Sequence, residues 1–305
     1  MTGPEHPHRT WLYVPGDRRD RIGKALDSAA DAVILDLEDA VATGAKETAR
    51  RTVAAVLAEG RRAYVRINAP GTPDGTADIG LLASAPGALA GVRIPKCEDP
   101  DALRRVADAL GVPVFPVLES ALGVENALAL ATAHPLVAGI SLGEADLSAD
   151  LRVTGGDALA WPRSRVVVAA RAAGLPSPPQ SVWTAVRDLD GLRADTAAGH
   201  RAGFFGRSVI HPAQIPVVHE ACAPDPGDVA WARDLMDRLT ARDGTAGAAA
   251  WIDSAGRFVD KAVVERARWI LAVAASAHRP AAPQEAAPQK AAPQKAAPQK
   301  EGSPS

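Results

Sequence analysis

The stretch AVILDLEDAVATGAKETARRTVAAVLAEGRRAYVRI, residues Ala32–Ile67, carries the pattern that decides the fold. Two short runs rich in β-branched residues, Ala32–Leu37 and Ala63–Ile67, predict buried strands. Between them, apolar residues recur at helical spacing over 49–57 and predict an amphipathic helix that ends at Gly60. A strand, a helix and a second strand in this order predict parallel pairing through a crossover helix.

The same alternation continues along the chain and gives eight strand candidates. They are Trp11–Val14, Ala32–Leu37, Ala63–Ile67, Gly91–Ile94, Pro113–Leu118, Val137–Leu142, Ser177–Val182 and Gly206–Ile210. Eight such units favour an α/β fold of the closed (β/α)8 barrel type, a TIM barrel, with an open doubly wound sheet as the alternative. The seventh candidate is weak because its prolines remove donors from the strand ladder.

The chain divides into four predicted parts. Residues 1–8 are expected to be flexible, 9–222 to form the barrel, 223–279 to form a C-terminal helical extension or lid, and 280–305 to form a disordered tail of Ala-Pro-Gln-Lys repeats. Within the extension, helices are predicted over about 228–241 and 262–276. The Gly/Ala-rich segment between them is typical of a lid, or of an arm that reaches a neighbouring subunit.

The composition excludes several functional classes. Hydrophobic residues make up 47% of the chain and charged residues 23%, which is typical of a globular protein with a large core. A net charge of −2 gives no basic surface for nucleic acid. No apolar run approaches the roughly 18 residues of a membrane-spanning helix, and the N-terminus lacks the apolar core of a signal peptide. We therefore expect a cytoplasmic protein that binds neither nucleic acid nor membrane.

Polar residues follow almost every strand candidate. In a (β/α)8 barrel the active site lies at the carboxyl ends of the strands, so these side chains are expected to share one mouth. They include Asp36, Glu38, Asp39, Arg66, Asn68, Lys96, Glu119, Glu144, Asp146 and Gln180. Carboxylates gathered so closely repel one another unless a cation neutralises them. Oxygen ligands without nearby cysteine or paired histidine favour Mg²⁺ or Mn²⁺ over Zn²⁺.

Each of these residues also has a structural interpretation. An acidic residue after a strand can be a solvated loop charge or a helix cap. Arg66, at the end of its strand, either pairs with a core carboxylate or binds an anionic substrate through two hydrogen bonds. The residue pattern alone leaves both alternatives open.

Several motifs together resemble one family. They are RTWLYVPGDRRDRIGKAL (Arg9–Leu26), DAVILDLEDAV (Asp31–Val41), YVRINAPGTPDG (Tyr64–Gly75), IPKCED, VLES, GISLGEADLSADL (Gly139–Leu151), RSRVVVAARAAGLP (Arg163–Pro176) and IHPAQI. In this order, over about residues 9–276, they resemble the citrate lyase beta-subunit-like and malyl-CoA lyase family of the HpcH/HpaI aldolase/citrate lyase superfamily.

The resemblance implies a Mg²⁺-dependent carbon–carbon lyase that cleaves a 3-hydroxyacyl-CoA thioester into an acyl-CoA and a 2-oxo acid. It also implies a homotrimer or homohexamer of (β/α)8 barrels. The family's residue roles carry over to this sequence as follows: Glu119 and Asp146 as metal ligands, with Glu119 also touching substrate; Arg66 as the residue that binds the substrate oxygen; Glu38 and Asp36 as acids of the catalytic pocket; Arg18 and Lys24 as contacts to CoA.

Near the C-terminus, GRFVDKAVVERAR resembles the family's G-K-M-I-D segment. That match implies that Asp260 is a catalytic acid/base contributed by a neighbouring subunit, whereas its position also fits an N-cap of the following helix. Family members often carry an aspartate where this chain has Gln180, so we expect a change in pocket chemistry there. The alternatives are a metal-dependent aldolase on free 4-hydroxy-2-oxo acids, an enzyme that goes on to hydrolyse the thioester, and a non-catalytic acyl-CoA-binding subunit.

Overall fold

The computed structural model describes residues 8–84, 88–241, 251–252, 256 and 258–277. Its centre is a seven-stranded parallel sheet built from the β-branched runs of the sequence. The strands are β1 (Thr10–Pro15), β2 (Ala32–Asp36), β3 (Ala63–Arg66), β4 (Leu89–Ile94), β5 (Val114–Leu118), β6 (Ser141–Leu142) and β7 (Arg207–Val209). Their spatial order is β6-β5-β4-β3-β2-β1-β7, so the last strand pairs with the first and the sheet curls.

Helices alternate with these strands along the chain, as the sequence predicts. They are α1 (Arg19–Leu26), α2 (Lys46–Ala58), α3 (Pro73–Ala83), α4 (Pro100–Leu110), α5 (Ala121–Glu125), α6 (Ala127–Ala131), α7 (Glu144–Leu151), α8 (Ala160–Ala172), α9 (Leu189–Arg201) and α10 (Gln214–Ala221). Turns of 3₁₀ helix precede α2 and α8.

Helix α4 shows how local sequence sets the helix ends. The Asp99 carboxylate accepts a hydrogen bond of 2.8 Å from the Asp101 amide, which caps the first turn, and Pro100 occupies the first helical position. Gly111 follows the last turn with φ of +62°, a conformation that glycine adopts without a Cβ penalty. Asp99, Pro100 and Gly111 are residue types that predict these bounds from the sequence alone, since each suits its position at a helix end.

Side chains along β2 alternate between two layers. Val33 and Leu35 belong to the main core between the sheet and the helices. Ala32 and Ile34 point to the other face, where they form a smaller inner cluster with Trp11. An apolar cluster on the inner face is expected when a parallel sheet curls around its own side chains. The fold is therefore α/β with a curled parallel sheet, consistent with a TIM-barrel-like architecture.

The predicted seventh strand, Ser177–Val182, is wrong as a strand. The segment forms a single parallel bridge, between Gln180 and Arg207 of β7. Among the described residues it shares no backbone ladder with β6; the Ser181 hydroxyl instead donates a 2.7 Å hydrogen bond to the Leu142 carbonyl. The prolines at 176, 178 and 179 explain the difference, since each removes a backbone donor.

The extension contains the two predicted helices, α11 (Pro226–Ala241) and α12 (Lys261–Ala277). They pack on each other through a small apolar cluster that includes Leu235 and Val264. A short antiparallel pair, β8 (Trp251–Ile252) and β9 (Phe258–Val259), precedes α12. Trp269 of α12 packs edge-on against Phe205, with 5.3 Å between ring centroids, which docks α12 on the rest of the chain.

Three parts that the sequence predicts to be flexible or disordered fall mainly outside the described residues. The repeat tail, 280–305, lies wholly outside them, as does most of the Gly/Ala-rich segment before α12. Of residues 1–8 only His8 is described, and it is fixed: its ring lies 3.2 Å from the Tyr64 hydroxyl and edge-on to Trp11. In the ranges that the structure describes, no helix has the length and apolar character needed to cross a membrane.

Candidate active site

A cavity of about 650 Å³ opens at the carboxyl ends of the strands. It is lined by charged residues that follow several strands, Asp36, Asp39, Arg66, Glu119, Glu144 and Asp146, and by Arg163 of α8. These residues are far apart in sequence, and the parallel sheet brings them to one edge because all its strands run in the same direction. The structure thus gathers most of the predicted strand-end residues at one site.

Arg66 and Asp36 form a buried bidentate pair across neighbouring strands. Their positions are in register at the ends of β3 and β2. Arg66 Nε donates to Asp36 Oδ1 at 2.7 Å and Nη2 donates to Oδ2 at 2.5 Å. The Asp36 oxygens also accept from the Glu38 and Ala40 amides at 3.0 and 3.2 Å. Protein donors therefore engage both oxygens of Asp36, whose role in this arrangement is to position Arg66.

The third nitrogen of the guanidinium is directed elsewhere. Arg66 Nη1 lies 2.8 Å from Glu38 Oε2, and the guanidinium carbon is 4.9 Å from the centre of the Tyr13 ring. Burial raises the pKa of Glu38 to about 8, against the opposing charge of Arg66 and with added repulsion from Asp39, Glu119 and Asp36. Glu38 therefore exchanges its proton near neutral pH, beside a fixed cation.

Lys46 holds the loop that carries Glu38. Its ammonium donates 2.8 Å hydrogen bonds to the Leu37 and Glu38 carbonyls and to Asn68 Oδ1. Sequence reasoning missed Lys46. A signal was present, because Lys46 is the first residue of α2 and a cation there is disfavoured by the helix dipole unless it serves another purpose.

Glu119 and Asp146, the predicted metal ligands, are joined by Lys96. The Lys96 ammonium lies 2.6 Å from Asp146 Oδ2 and 3.2 Å from Glu119 Oε1, and the Lys96 amide donates to the same Glu119 oxygen at 2.7 Å. Burial and the charge of Asp146 raise the pKa of Glu119, while Lys96 opposes the rise. Lys96 adopts φ of +52°, rare for a residue with a side chain, to make both contacts.

The absence of a side chain at Gly143 makes room for Glu119. A Cβ at this position would lie 2.3 Å from Glu119 Oε2 and 2.7 Å from its Cβ. Neighbouring Glu144 is engaged elsewhere, in a bidentate pair with Arg163 at 2.8 and 2.6 Å. Glu144 is thus already neutralised by an arginine, whereas Glu119 and Asp146 share a single ammonium.

This donor set fits a hard divalent cation. Across the described ranges, no group of three or more Asp, Glu, His or Cys side chains is arranged to hold a metal. The candidate ligands at this cavity are therefore two carboxylates, those of Glu119 and Asp146, which Lys96 joins. Mg²⁺ in proteins is commonly bound by one or two carboxylates and keeps several waters or substrate oxygens. The ammonium of Lys96 shows that the space beside the two carboxylates accommodates positive charge.

Three predicted site residues lie apart from this cavity. Arg18 is exposed and pairs with Asp20 at 3.2 Å, and Lys24 is exposed in the last turn of α1. Asp260 accepts a 3.0 Å hydrogen bond from the Val263 amide and so caps α12, the structural alternative stated above. None of the three is among the residues that line the 650 Å³ cavity.

Gln180 is not among the residues that line the cavity, so the expected effect of its amide on the pocket stays a prediction. Its Nε2 donates to the Asp195 carbonyl at 3.1 Å, on the α9 side of the wall. The next two residues, Ser181 and Val182, line the cavity instead. The contacts of Gln180 with Asp195 of α9 hold its amide on the helix side of the wall.

Comparison with known proteins identifies the family of this chain. The family model described as HpcH/HpaI aldolase/citrate lyase matches residues 9–212, which is more than half of the chain. The chain belongs to this family. The family resemblance seen in the sequence is thus confirmed, and the match covers the whole curled sheet from β1 to β7.

Individual family members match almost end to end. A (3S)-malyl-CoA thioesterase from Cereibacter sphaeroides is 34% identical over 282 residues, which cover 90% of this chain and 97% of the relative. A citrate lyase subunit beta-like protein from Mycobacterium tuberculosis is 36% identical over 275 residues, 88% and 96% of the two chains. The solved structure of CitE from Mycobacterium tuberculosis in complex with magnesium, acetoacetate and coenzyme A superposes with a TM-score of 0.76 at 32% identity, covering 89% of this chain and 99% of CitE.

Proposed function

We propose that this protein is a Mg²⁺-dependent carbon–carbon lyase that cleaves a 3-hydroxyacyl-CoA of the malyl-, citramalyl- or citryl-CoA type into an acyl-CoA and a 2-oxo acid. One observation carries the proposal. The cavity holds a fixed guanidinium, Arg66, together with two acidic side chains, Glu119 and Asp146, that share one cation. Such a cavity suits a substrate that bears a carboxylate and a neighbouring hydroxyl, because it offers both a cationic donor and a place for a metal.

Glu119 and Asp146 are the residues that would hold the metal. Solved relatives from Mycobacterium tuberculosis contain magnesium with acetoacetate and coenzyme A, or magnesium with oxaloacetate, which supports Mg²⁺ and a CoA ester here; Mn²⁺ has similar ligand preferences. Bound there, the metal would supply Lewis-acid polarisation and orientation of the substrate oxygens. The Lys96 ammonium lies beside both carboxylates, so a bound metal would replace it as their counterion.

In the proposed cleavage, an acid/base group would transfer the protons and Arg66 would stabilise the substrate oxygen. A base takes the proton of the C3 hydroxyl, the C2–C3 bond breaks, and its electron pair passes to the thioester as an enolate. In this proposal Arg66 Nη1, which lies 2.8 Å from Glu38 Oε2, donates to the oxygen that becomes the carbonyl of the 2-oxo acid, since Asp36 engages the other two nitrogens. A proton then returns to C2 and gives the acyl-CoA.

The acid/base group of the proposed reaction comes either from a neighbouring subunit or from the same chain. Asp260 of a neighbouring subunit is our candidate, in a homotrimer or homohexamer, and Glu38 lies beside Arg66 within the chain itself. Arg18 and Lys24 are proposed to contact the phosphates of CoA from the exposed first helix. We further propose that the curled sheet closes into a barrel in which segment 177–182, without forming a ladder to β6, fills the space between β6 and β7, and that the protein is cytoplasmic.

Cleavage of a small panel of CoA esters tests the proposal. Malyl-, methylmalyl-, citramalyl- and citryl-CoA are incubated with Mg²⁺, and the 2-oxo acid is measured. We expect one ester to be cleaved, and Asp146→Ala to abolish the reaction. Asp190→Ala is the matched control, because Asp190 is likewise an aspartate in the first helical turn but is exposed on α9. Loss of activity in both variants, or in neither, contradicts the proposed metal site.

Thioester hydrolysis is the second candidate, favoured by the 34% identical relative named (3S)-malyl-CoA thioesterase. Free thiol release, followed with a thiol reagent in the same assay, distinguishes it, because a lyase alone leaves CoA esterified. Charge reversal at Arg18 and Lys24 separates both from an aldolase on free acids. Charge reversal should weaken the binding of a CoA ester and leave the cleavage of 4-hydroxy-2-oxo acids unchanged. Mg²⁺ binding without turnover of any ester or free acid would support a non-catalytic acyl-CoA-binding subunit.

A further inference from the structure

A second cavity, of about 520 Å³, lies at the opposite, amino-terminal end of the sheet. Its lining comes from the first residues of the strands and the loops before them, including Trp11, Tyr64, Ala90, Pro113 and Phe115. This volume is within the range of small-molecule sites, about 300–1,000 Å³. The proposed lyase chemistry makes no use of it.

The wall of this cavity is aromatic. Trp11, Tyr64 and Phe115 pack edge to face, with ring centroids 4.9, 5.5 and 5.6 Å apart in the three pairs. Such an arrangement offers both ring edges and ring faces to an apolar group. An apolar body of a few carbons or one ring is the shape of ligand that it suits.

Arg93 of β4 supplies a buried positive charge at this cavity. The side chain is 3% exposed, and its guanidinium stacks 4.8 Å from the centre of the Trp11 ring. Among the described residues it forms no salt bridge. Its Nη1 is within 3.2 to 3.5 Å of three neutral hydroxyl oxygens, those of Tyr13, Ser141 and Ser208, and its buried Nε has no hydrogen-bond partner. A buried cation without a counterion is costly, which points to an anion as its missing partner.

The charges around the cavity agree. Arg62 stands with Arg93 among the lining residues, and no aspartate or glutamate of the described chain is among them. His8 also lines the cavity, but burial lowers the pKa of its ring, which therefore adds no charge at pH 7. Arg93 is also the one residue common to the linings of this cavity and of the 650 Å³ cavity. An anion that pairs with Arg93 in the amino-terminal cavity therefore lies next to the inner end of the 650 Å³ cavity.

We propose that the amino-terminal cavity is a second ligand site, which binds a small monocarboxylate with an apolar or aromatic body. The carboxylate pairs with the Arg93 guanidinium, and the apolar body packs on Trp11, Tyr64 and Phe115. The site does not depend on the reaction catalysed at the other end of the sheet.

Calorimetric titration of the full-length protein with phenylacetate tests the site. We expect one phenylacetate per chain. Phenylacetamide, which has the same shape without the charge, should bind at least about tenfold more weakly, as expected when a charge-assisted pair is lost. Acetate, which has the charge without the ring, should also bind more weakly. Equal binding of phenylacetate and phenylacetamide, or no binding of phenylacetate, overturns the proposal.

Two variants locate the bound probe. Arg93→Met removes the charge and keeps an apolar chain of similar length; because it removes an unpaired buried charge, we expect it to fold. Ala138→Trp fills the amino-terminal cavity from its wall, away from the other cavity. Both should weaken phenylacetate binding about tenfold or more. If binding is lost in Arg93→Met but unchanged in Ala138→Trp, the ligand lies in the 650 Å³ cavity and the proposed site is refuted.

Discussion

The pair between Arg66 and Asp36 gives a prediction with a magnitude: Asp36→Asn lowers the free energy of unfolding by about 3 kcal/mol or more. The fully buried carboxylate accepts from two guanidinium nitrogens and two backbone amides. Asparagine keeps one acceptor oxygen and turns an NH₂ group toward two of those four donors. Breaking a buried pair from one side typically costs about 3–5 kcal/mol, because the remaining charge stays buried.

Because Glu38 compensates part of the lost charge, the expected loss of unfolding free energy lies at the lower end of about 3–5 kcal/mol. Asp36 is one of the charges that raise the pKa of Glu38, so its removal lets Glu38 ionise more readily. Glu38 Oε2 lies 2.8 Å from Arg66 Nη1 and can then neutralise part of the orphaned charge. It cannot replace the bidentate contact, since it reaches a different nitrogen.

Asp39→Asn is the matched control for this measurement. Asp39 lies 3.7 Å from the same Arg66 Nη1 but its side chain is 64% exposed, so its removal should cost less than about 1 kcal/mol. Urea unfolding followed by circular dichroism at pH 7, with a chelator present, gives both free energies by linear extrapolation. If Asp36→Asn costs no more than Asp39→Asn, the four-donor account of Asp36 is refuted.

Three further substitutions test the site. Gly143→Ala puts a Cβ 2.3 Å from Glu119 Oε2, so urea unfolding should show a loss of about 1–3 kcal/mol, whereas Gly156→Ala, whose Cβ would lie 3.8 Å from its nearest neighbour, should change little. Lys96→Met removes the ammonium beside the two carboxylates, so calorimetry should show Mg²⁺ binding roughly threefold tighter or more; unchanged affinity would mean that Lys96 does not compete with the metal. The pKa of Glu38 rises from 4.5 to about 8 on folding, so the folded state binds more protons between these values and stability falls as pH rises through that window. Glu38→Gln should flatten this fall, and an unchanged pH profile of urea unfolding would contradict it.

The sequence predicted those parts of the fold that local chemistry determines. Helix α4 begins at a capped Asp99 and ends before Gly111 because these residues suit their own backbone positions, whatever surrounds them. The segment Ser177–Val182 failed as a strand for an equally local reason, its prolines, which the sequence displays and which outweighed its place in the eightfold pattern.

The site was predictable in position but not in contacts. The parallel sheet fixes where Arg66 and Glu119 lie, so the shared cavity followed from counting strands. Which oxygen meets which nitrogen depends on neighbours remote in sequence. Lys96 reaches Asp146 across 50 residues, and the engagement of both Asp36 oxygens depends on Arg66, 30 residues away. Neither contact leaves a signature in the spacing of the chain.

The joint between β6 and residues 177–182 sets where the wall of the cavity opens most easily. Its described bond is a single hydroxyl contact, from Ser181 to the Leu142 carbonyl, where the other strands are joined by backbone ladders. Backbone amides near this joint should therefore exchange with solvent faster than those of β2 or β3. Ser181 and Val182 line the cavity. The wall of the cavity is therefore most easily deformed at this joint, while the backbone ladders of β2 to β5 keep Arg66 and Glu119 in place.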